Sequence, residues 1–78
     1  MKTVMISLKS IDDVKNFVAL VSRVPFEVDL SSGRYVVDAK SIMGIFSLDL
    51  SKPIKAEIHC QDDSEGRAFV EELAAFGA

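Results

Sequence analysis

The chain has 78 residues, of which 49% are hydrophobic and 27% charged, with a formal net charge of −3 at pH 7. This length provides one hydrophobic core and no second one, so we predict a single domain over residues 1–78. The net negative charge argues against a nucleic-acid partner, which requires clustered Lys and Arg. No apolar stretch approaches the roughly 20 residues of a membrane-spanning helix.

The first predicted element is a strand over residues 2–8, where apolar residues alternate with other residues. A helix is then predicted to begin at Ser10, a favoured N-cap residue, with Asp13 three residues later in a capping-box-like arrangement. Asp12 adds a negative charge that the helix dipole favours in the first turn, and Pro25 ends the helix. Three- and four-residue spacings predict a buried face made of Ile11, Val14, Phe17, Val18 and Val21.

Two further strands are predicted over residues 26–30 and 34–39, joined by a turn at residues 31–33 in which Gly33 supplies a positive φ. A last strand opens at Pro53 and directs alternate residues to the core. These inward residues are Ile54, Ala56, Ile58 and Cys60. Asp62 then caps a final helix that buries Phe69, Val70, Leu73 and Phe76 and stops at Gly77.

Between the third and fourth strands, Ser41 precedes a short apolar run and is predicted to cap a helix. The run covers more of the helix circumference than one buried stripe needs, so part of it should face solvent or a partner. This pattern indicates a docking surface beside a modifiable hydroxyl, with a capped helix lying flat on a sheet as the alternative. The apolar residues concerned are Ile42, Met43, Ile45, Phe46 and Leu48.

The predicted element order is βαββαβα. Two amphipathic helices and a short one can cover one face of a four-stranded sheet. We therefore predict an α+β fold, an open-faced sandwich with a four-stranded antiparallel sheet and helices on one face.

The segment Lys40-Ser41-Ile42-Met43-Gly44 closely resembles HPr, the small phosphocarrier of the bacterial phosphoenolpyruvate-dependent sugar phosphotransferase system. Together with residues 27–30 and 37–39, the length and the element order, this resemblance covers essentially the whole chain. It implies the HPr-like fold and a protein that is not an enzyme and needs no cofactor.

In that family, an ATP-dependent HPr kinase phosphorylates the regulatory serine that matches Ser41. The product docks on a transcriptional regulator of catabolite repression. The resemblance therefore implies protein partners and a docking patch at Ile42, Met43 and Phe46.

The family's phosphoryl-accepting segment reads Gly-x-His-x-Arg-Pro-Ala, and this chain departs from it. Counting back from Ser41 without a gap places Ser10 at the position of the family's histidine. Asp12 then falls at the position of its arginine and Asp13 at that of its proline. Serine would form a stable ester rather than a labile phosphoramidate, and two carboxylates would repel a phosphoryl group. We therefore predict that the chain is not a competent phosphoryl relay. In this respect it resembles the catabolite-repression HPr-like protein, which also lacks the histidine.

Three hypotheses remain open. The chain is a regulatory binding module controlled by phosphorylation at Ser41, an active phosphocarrier that uses an unexpected residue, or an interaction paralogue in which Ser41 is only a helix cap.

Two other reactive residues receive simpler interpretations. His59, the only histidine, is predicted to be an exposed strand residue rather than a metal ligand with Asp62 and Asp63, or a member of a catalytic triad with Ser10. Cys60 is the only cysteine, so no internal disulfide can form, and we expect a protein of the reducing cytoplasm.

Overall fold

A computed structural model describes residues 2–77 of the chain. Its elements follow the predicted order βαββαβα and end with one turn of 3₁₀ helix, Ala74–Phe76. The strands and helices are β1 (Lys2–Ile6), α1 (Ile11–Val21), β2 (Glu27–Ser32), β3 (Tyr35–Asp38), α2 (Ile42–Phe46), β4 (Ile54–His59) and α3 (Asp63–Leu73).

The four strands form one antiparallel sheet in the order β1-β4-β2-β3. The last strand in sequence, β4, therefore lies inside the sheet, where Ile54 pairs with Ile6 of β1 and Ile58 pairs with Val28 of β2. The predicted open-faced α+β fold is confirmed. No helix within residues 2–77 is long and apolar enough to cross a membrane.

One face of the sheet is buried beneath the helices, and the other is open. Alternation along β4 determines which face of the sheet each side chain occupies, because successive strand residues point to opposite faces. Ile54, Ala56 and Ile58 have no exposed surface, whereas Lys55 and His59 between and after them are exposed. The buried residues of the sheet and helices form one core cluster, to which the helices contribute Val14, Phe17, Val21, Ile45, Phe69 and Leu73.

Several boundaries differ from the sequence prediction. The first strand ends at Ile6 rather than at residue 8, and the second continues to Ser32, because the two serines of the predicted turn pair with β3. The turn itself is therefore Gly33-Arg34, with Gly33 at φ 60°. A two-residue loop of this kind matches the twist of the strands that it joins, which favours the tighter hairpin.

The C-terminal end also differs. Gly77 was predicted to stop the final helix, but α3 ends at Leu73 and continues into the 3₁₀ turn. Gly77 has an extended backbone, φ −58° and ψ 140°, and bridges to Ile6 at the edge of β1. The neighbouring Ser7 amide donates to the Phe76 carbonyl at 2.7 Å. Residues 76 and 77 are therefore tied to the sheet.

The prediction for Cys60 needs a correction. It lies one residue beyond β4 and is half-buried against the edge of the core, and its thiol donates to the Asp62 carbonyl at 3.2 Å. The strand ends before Cys60 because the chain there turns toward the α3 cap.

We predict that Gly33→Ala will destabilise the protein by about 1 kcal/mol, because an L-residue resists the left-handed backbone conformation. An added Cβ would meet no atom within 4 Å, so the cost comes from the backbone alone. Urea unfolding monitored by circular dichroism would measure it. Gly33→Asn is the matched control and should cost less, since Asn tolerates this conformation. An equal loss for both variants would contradict the explanation.

Candidate functional site

The N-terminus of α1 carries the residues that align with the family's phosphoryl-accepting segment when positions are counted back from Ser41 without a gap. Ser10 is the N-cap: its backbone is extended, and its Oγ accepts a hydrogen bond from the Asp13 amide at 3.1 Å. The capping box is modified, because the Asp13 carboxylate accepts from the amide of Lys9 at 2.9 Å rather than from that of the cap residue. Asp12 is exposed beside it. The first turn of α1 is therefore an acidic surface, with the hydroxyl of its cap already bonded to the backbone.

Ser41 occupies the same position on α2. Its backbone is extended, and its Oγ accepts from the Gly44 amide at 3.2 Å, as predicted for an N-cap. The side chain lies on the surface, and the first turn of α2 contains no acidic residue. Ser41 is therefore accessible to a modifying enzyme.

Lys40 directly precedes Ser41, and adjacency alone would place its ammonium near a phosphate on that serine. In the structure, the Lys40 side chain has a different partner. Its Nζ donates to the Val24 carbonyl at 3.0 Å, in a partly buried contact that fastens the start of α2 to the segment after α1. Adjacency in sequence did not predict this, since the acceptor lies 16 residues away.

Behind Ser41, α2 buries one residue and exposes three. Ile45 has no exposed surface and packs in the core, while Ile42, Met43 and Phe46 are exposed, with Met43 at 79%. The expected excess of apolar surface is therefore present beside the serine hydroxyl. We call Ile42, Met43 and Phe46 the α2 patch.

Sequence reasoning missed the extension of this surface onto α1. Ile11 was assigned to the buried face, but it is 62% exposed. As the first residue of α1, it lies one turn before the buried Val14. It lines a surface depression of about 400 Å³ together with Ser10, Phe46 and Leu50, so the start of α1 and the end of α2 share one apolar surface. Its position at the first helical residue was the only sequence signal, because a helix end need not overlie the sheet.

A turn after α2 holds Leu50 in this depression. The Asp49 carboxylate accepts hydrogen bonds from the Ser51 hydroxyl at 2.5 Å and from the Ser51 amide at 3.1 Å. The hydroxyl bond is the main reason that the pKa of Asp49 lies below its ordinary value, and the Ser51 amide and the Lys52 charge act in the same direction.

His59 lies apart from these helix starts, on the open face of the sheet. Its Nε2 is 2.9 Å from Oδ2 of Asp29 on the neighbouring strand β2. Sequence reasoning placed His59 on the exposed face correctly but did not find its partner, which depends on the β2–β4 register. Within residues 2–77, no three His, Cys, Asp or Glu side chains form a group that could hold a metal ion.

The comparison with protein families fits this architecture. The family model described as "PTS HPr component phosphorylation site" matches residues 13–78. The chain belongs to the HPr family. Its relatives are the HPr-like phosphocarriers of the phosphotransferase system, and the matched range begins just after Ser10 and Asp12.

Two solved structures are similar over nearly their whole length. HPr-C-His from Thermoanaerobacter tengcongensis is 29% identical and has a TM-score of 0.75, covering 96% of this chain and 93% of its own. The phosphocarrier protein HPr from Bacillus anthracis str. Ames is 30% identical with a TM-score of 0.71, covering 99% of this chain and 94% of its own. Among curated proteins, no sequence matches significantly.

We predict that Ser51→Ala will raise the pKa of Asp49 toward its ordinary value, because the variant removes the hydroxyl bond to the carboxylate and leaves the amide bond. A carbon-detected NMR titration of the Asp49 carboxyl would measure this. A depressed pKa stabilises the folded state above the ordinary value, and this contribution is lost as the pH falls through the folded pKa. The variant should therefore be less stable near neutral pH and differ little from wild type in strong acid. Ser47→Ala, which removes a hydroxyl bonded to Gly44 instead, should leave the titration unchanged.

Proposed function

We propose that this HPr-family chain is a regulatory binding module of the cytoplasm, controlled by phosphorylation at Ser41, and is neither a phosphoryl relay nor an enzyme. The observation that carries the proposal is the contrast between its two serine caps. Ser10 and Ser41 both accept a hydrogen bond from the amide three residues later, but only the first turn of α1 is acidic.

The chemistry of Ser10 argues against a role as a phosphoryl relay. Its position matches the family's histidine by an ungapped count, yet a hydroxyl forms a phosphate ester that does not pass readily to an acceptor. Asp12 and Asp13 would lie close to the incoming phosphoryl group, where like charges repel strongly, and Asp12 stands at the position of the family's arginine. The only histidine, His59, is paired with Asp29 on the open face of the sheet.

The surroundings of Ser41 are more favourable to a phosphate. The hydroxyl is exposed, and a phosphate there would meet the first amides of α2 without an acidic residue in the same turn. The nearest carboxylate in sequence, that of Asp38, precedes the helix and accepts from the Lys40 amide at 2.9 Å. Support from Lys40 would require its ammonium to leave the Val24 carbonyl. The added charge would change the electrostatic surface next to the α2 patch, which gives a partner a means of distinguishing the two states.

The proposed partners are therefore proteins: an HPr-kinase-like enzyme that modifies Ser41, and a transcriptional regulator or other phosphotransferase-system protein that docks on Ile42, Met43 and Phe46. These residues provide a compact apolar contact, with Met43 and Phe46 more exposed than Ile42. Apolar side chains of this kind supply the buried centre of many protein interfaces.

A second candidate function is phosphoryl transfer itself. It is favoured by the description of the matching family model and by the name of the Bacillus anthracis relative, a phosphocarrier. A third candidate is an interaction paralogue that uses the same patch while Ser41 remains an unmodified cap. These candidates differ in which phosphoryl donor, if any, modifies the chain.

We predict that HPr kinase with ATP will add one phosphate to the chain at Ser41, and that enzyme I with phosphoenolpyruvate will add none. Intact-mass measurement after parallel incubations, followed by peptide mapping, would test this. Ser41→Ala should abolish the modification and cost about 1 kcal/mol of stability through the lost cap. Acid-labile phosphate from phosphoenolpyruvate would instead support a phosphocarrier. Modification by neither donor would support the unmodified paralogue.

We also predict that Ser10→His with Asp12→Arg will gain acid-labile phosphate from enzyme I and phosphoenolpyruvate. The histidine supplies a nucleophile at the start of α1, and the arginine replaces a repelling charge with an attracting one. Ser10→His alone is the matched control and should gain less, because Asp12 remains. If the single and double variants are phosphorylated equally, the charge at position 12 is not a cause of the block.

A further inference from the structure

The outer edge of β3 combines exposed apolar side chains with unpaired backbone groups. Tyr35 is 71% exposed and Val36 is 66% exposed, in a four-residue strand at the end of the sheet. Exposed edges of this kind are templates for pairing with another strand. The opposite edge of the sheet is partly covered, because the C-terminal segment bonds to Ser7 and bridges to Ile6.

The register identifies the backbone groups that face outward. In an antiparallel ladder, hydrogen-bonded and non-hydrogen-bonded pairs alternate. The Ala39 amide donates to the Val28 carbonyl at 2.9 Å, and the two-residue turn makes Ser32–Tyr35 the closing bonded pair. Val36, opposite Ser31, therefore directs its N–H and C=O away from β2. No turn, loop or cap hydrogen bond within residues 2–77 uses these two groups.

The sequence of this edge, Arg34-Tyr35-Val36-Val37-Asp38, is complementary to itself when reversed. If two copies pair antiparallel about Val36, each Val36 faces the other and each Arg34 faces an Asp38. A shift by two residues in either direction would place one of these charges opposite a valine. Cross-strand pairs of opposite charge and of β-branched residues are both favourable, so one register is selected.

We propose that the β3 edge is a self-association surface, through which a second copy of this chain pairs antiparallel about Val36 to give a continuous eight-stranded sheet. The two Val36 residues exchange both outward backbone hydrogen bonds, and Arg34–Asp38 pairs flank them on the open face. The Asp38 carbonyl already accepts from the Ser41 amide at 3.0 Å, so this turn borders the ladder and keeps it short. A short ladder gives a weak dimer, which forms at high protein concentration.

The first test is sedimentation equilibrium from about 10 µM to about 2 mM under reducing conditions, so that Cys60 cannot cross-link copies. We expect a reversible monomer–dimer equilibrium whose dissociation constant rises with salt, because exposed charge pairs are screened. Hydrogen exchange by NMR should show the Val36 amide becoming slower to exchange as dimer forms. A monomer throughout this range, or a dimer that leaves the Val36 amide unprotected, would overturn the proposal.

Charge exchange provides the decisive variants. Arg34→Glu places like charges opposite each other at both ends of the ladder and should weaken association by about tenfold or more. The double variant Arg34→Glu with Asp38→Arg reverses both charges and should restore it. Lys15→Glu on the exposed side of α1 makes the same change in net charge and should leave the dissociation constant unchanged. Thermal unfolding would verify that each variant is folded. Asp38→Arg alone also loses the Asp38 bond to the Lys40 amide, so it is the control for that loss and should associate as weakly as Arg34→Glu. A folded double variant that associates no better than either single variant would refute the self-complementary register.

Discussion

Burial of only one face of the sheet is the constraint on which the rest of this structure depends. β4 lies between β1 and β2, and its alternate residues Ile54, Ala56 and Ile58 are fully buried. A register slip of one residue would exchange this buried set for Lys55, Glu57 and His59, which no apolar core could accommodate. The pairing of three strands is therefore fixed by three side chains of the central one, and the helices must lie where those side chains point.

Two of the helix N-termini on this face, those of α1 and α2, carry the serine caps of the candidate site. A helix start presents amides without intrahelical partners, and a serine cap satisfies one of them. Ser10 and Ser41 do this with nearly equal geometry, at 3.1 and 3.2 Å. What distinguishes the two sites is the charge of the turn that follows. The backbone geometry is thus the same at both helix starts, and under the proposed function the neighbouring side chains determine whether a phosphate is repelled or tolerated.

Local sequence signals predicted most of the fold, together with the caps and the exposed apolar surface at the candidate site. Strand alternation, the three side-chain caps and the exposed apolar surface of α2 are all encoded within a few neighbouring residues, so each could be inferred without tertiary information. Several features that the sequence did not predict involve distant partners. Lys40 reaches Val24, His59 reaches Asp29, and Gly77 pairs with Ile6. Ile11 has helical spacing with the core residues, but its exposure depends on where α1 ends relative to the sheet.

The turn from Asp38 to Ser41 connects the candidate regulatory site to the edge of the sheet. The Asp38 carbonyl accepts from the Ser41 amide, and its carboxylate accepts from the Lys40 amide at 2.9 Å. On α2, a Cβ at Gly44 would lie 3.2 Å from Cβ of Val37, so the helix packs closely on β3. A phosphate at Ser41 and a second strand at β3 would therefore act on the same few residues. By linkage, if pairing at β3 changes the free energy of phosphorylation at Ser41, phosphorylation must change the free energy of pairing by the same amount.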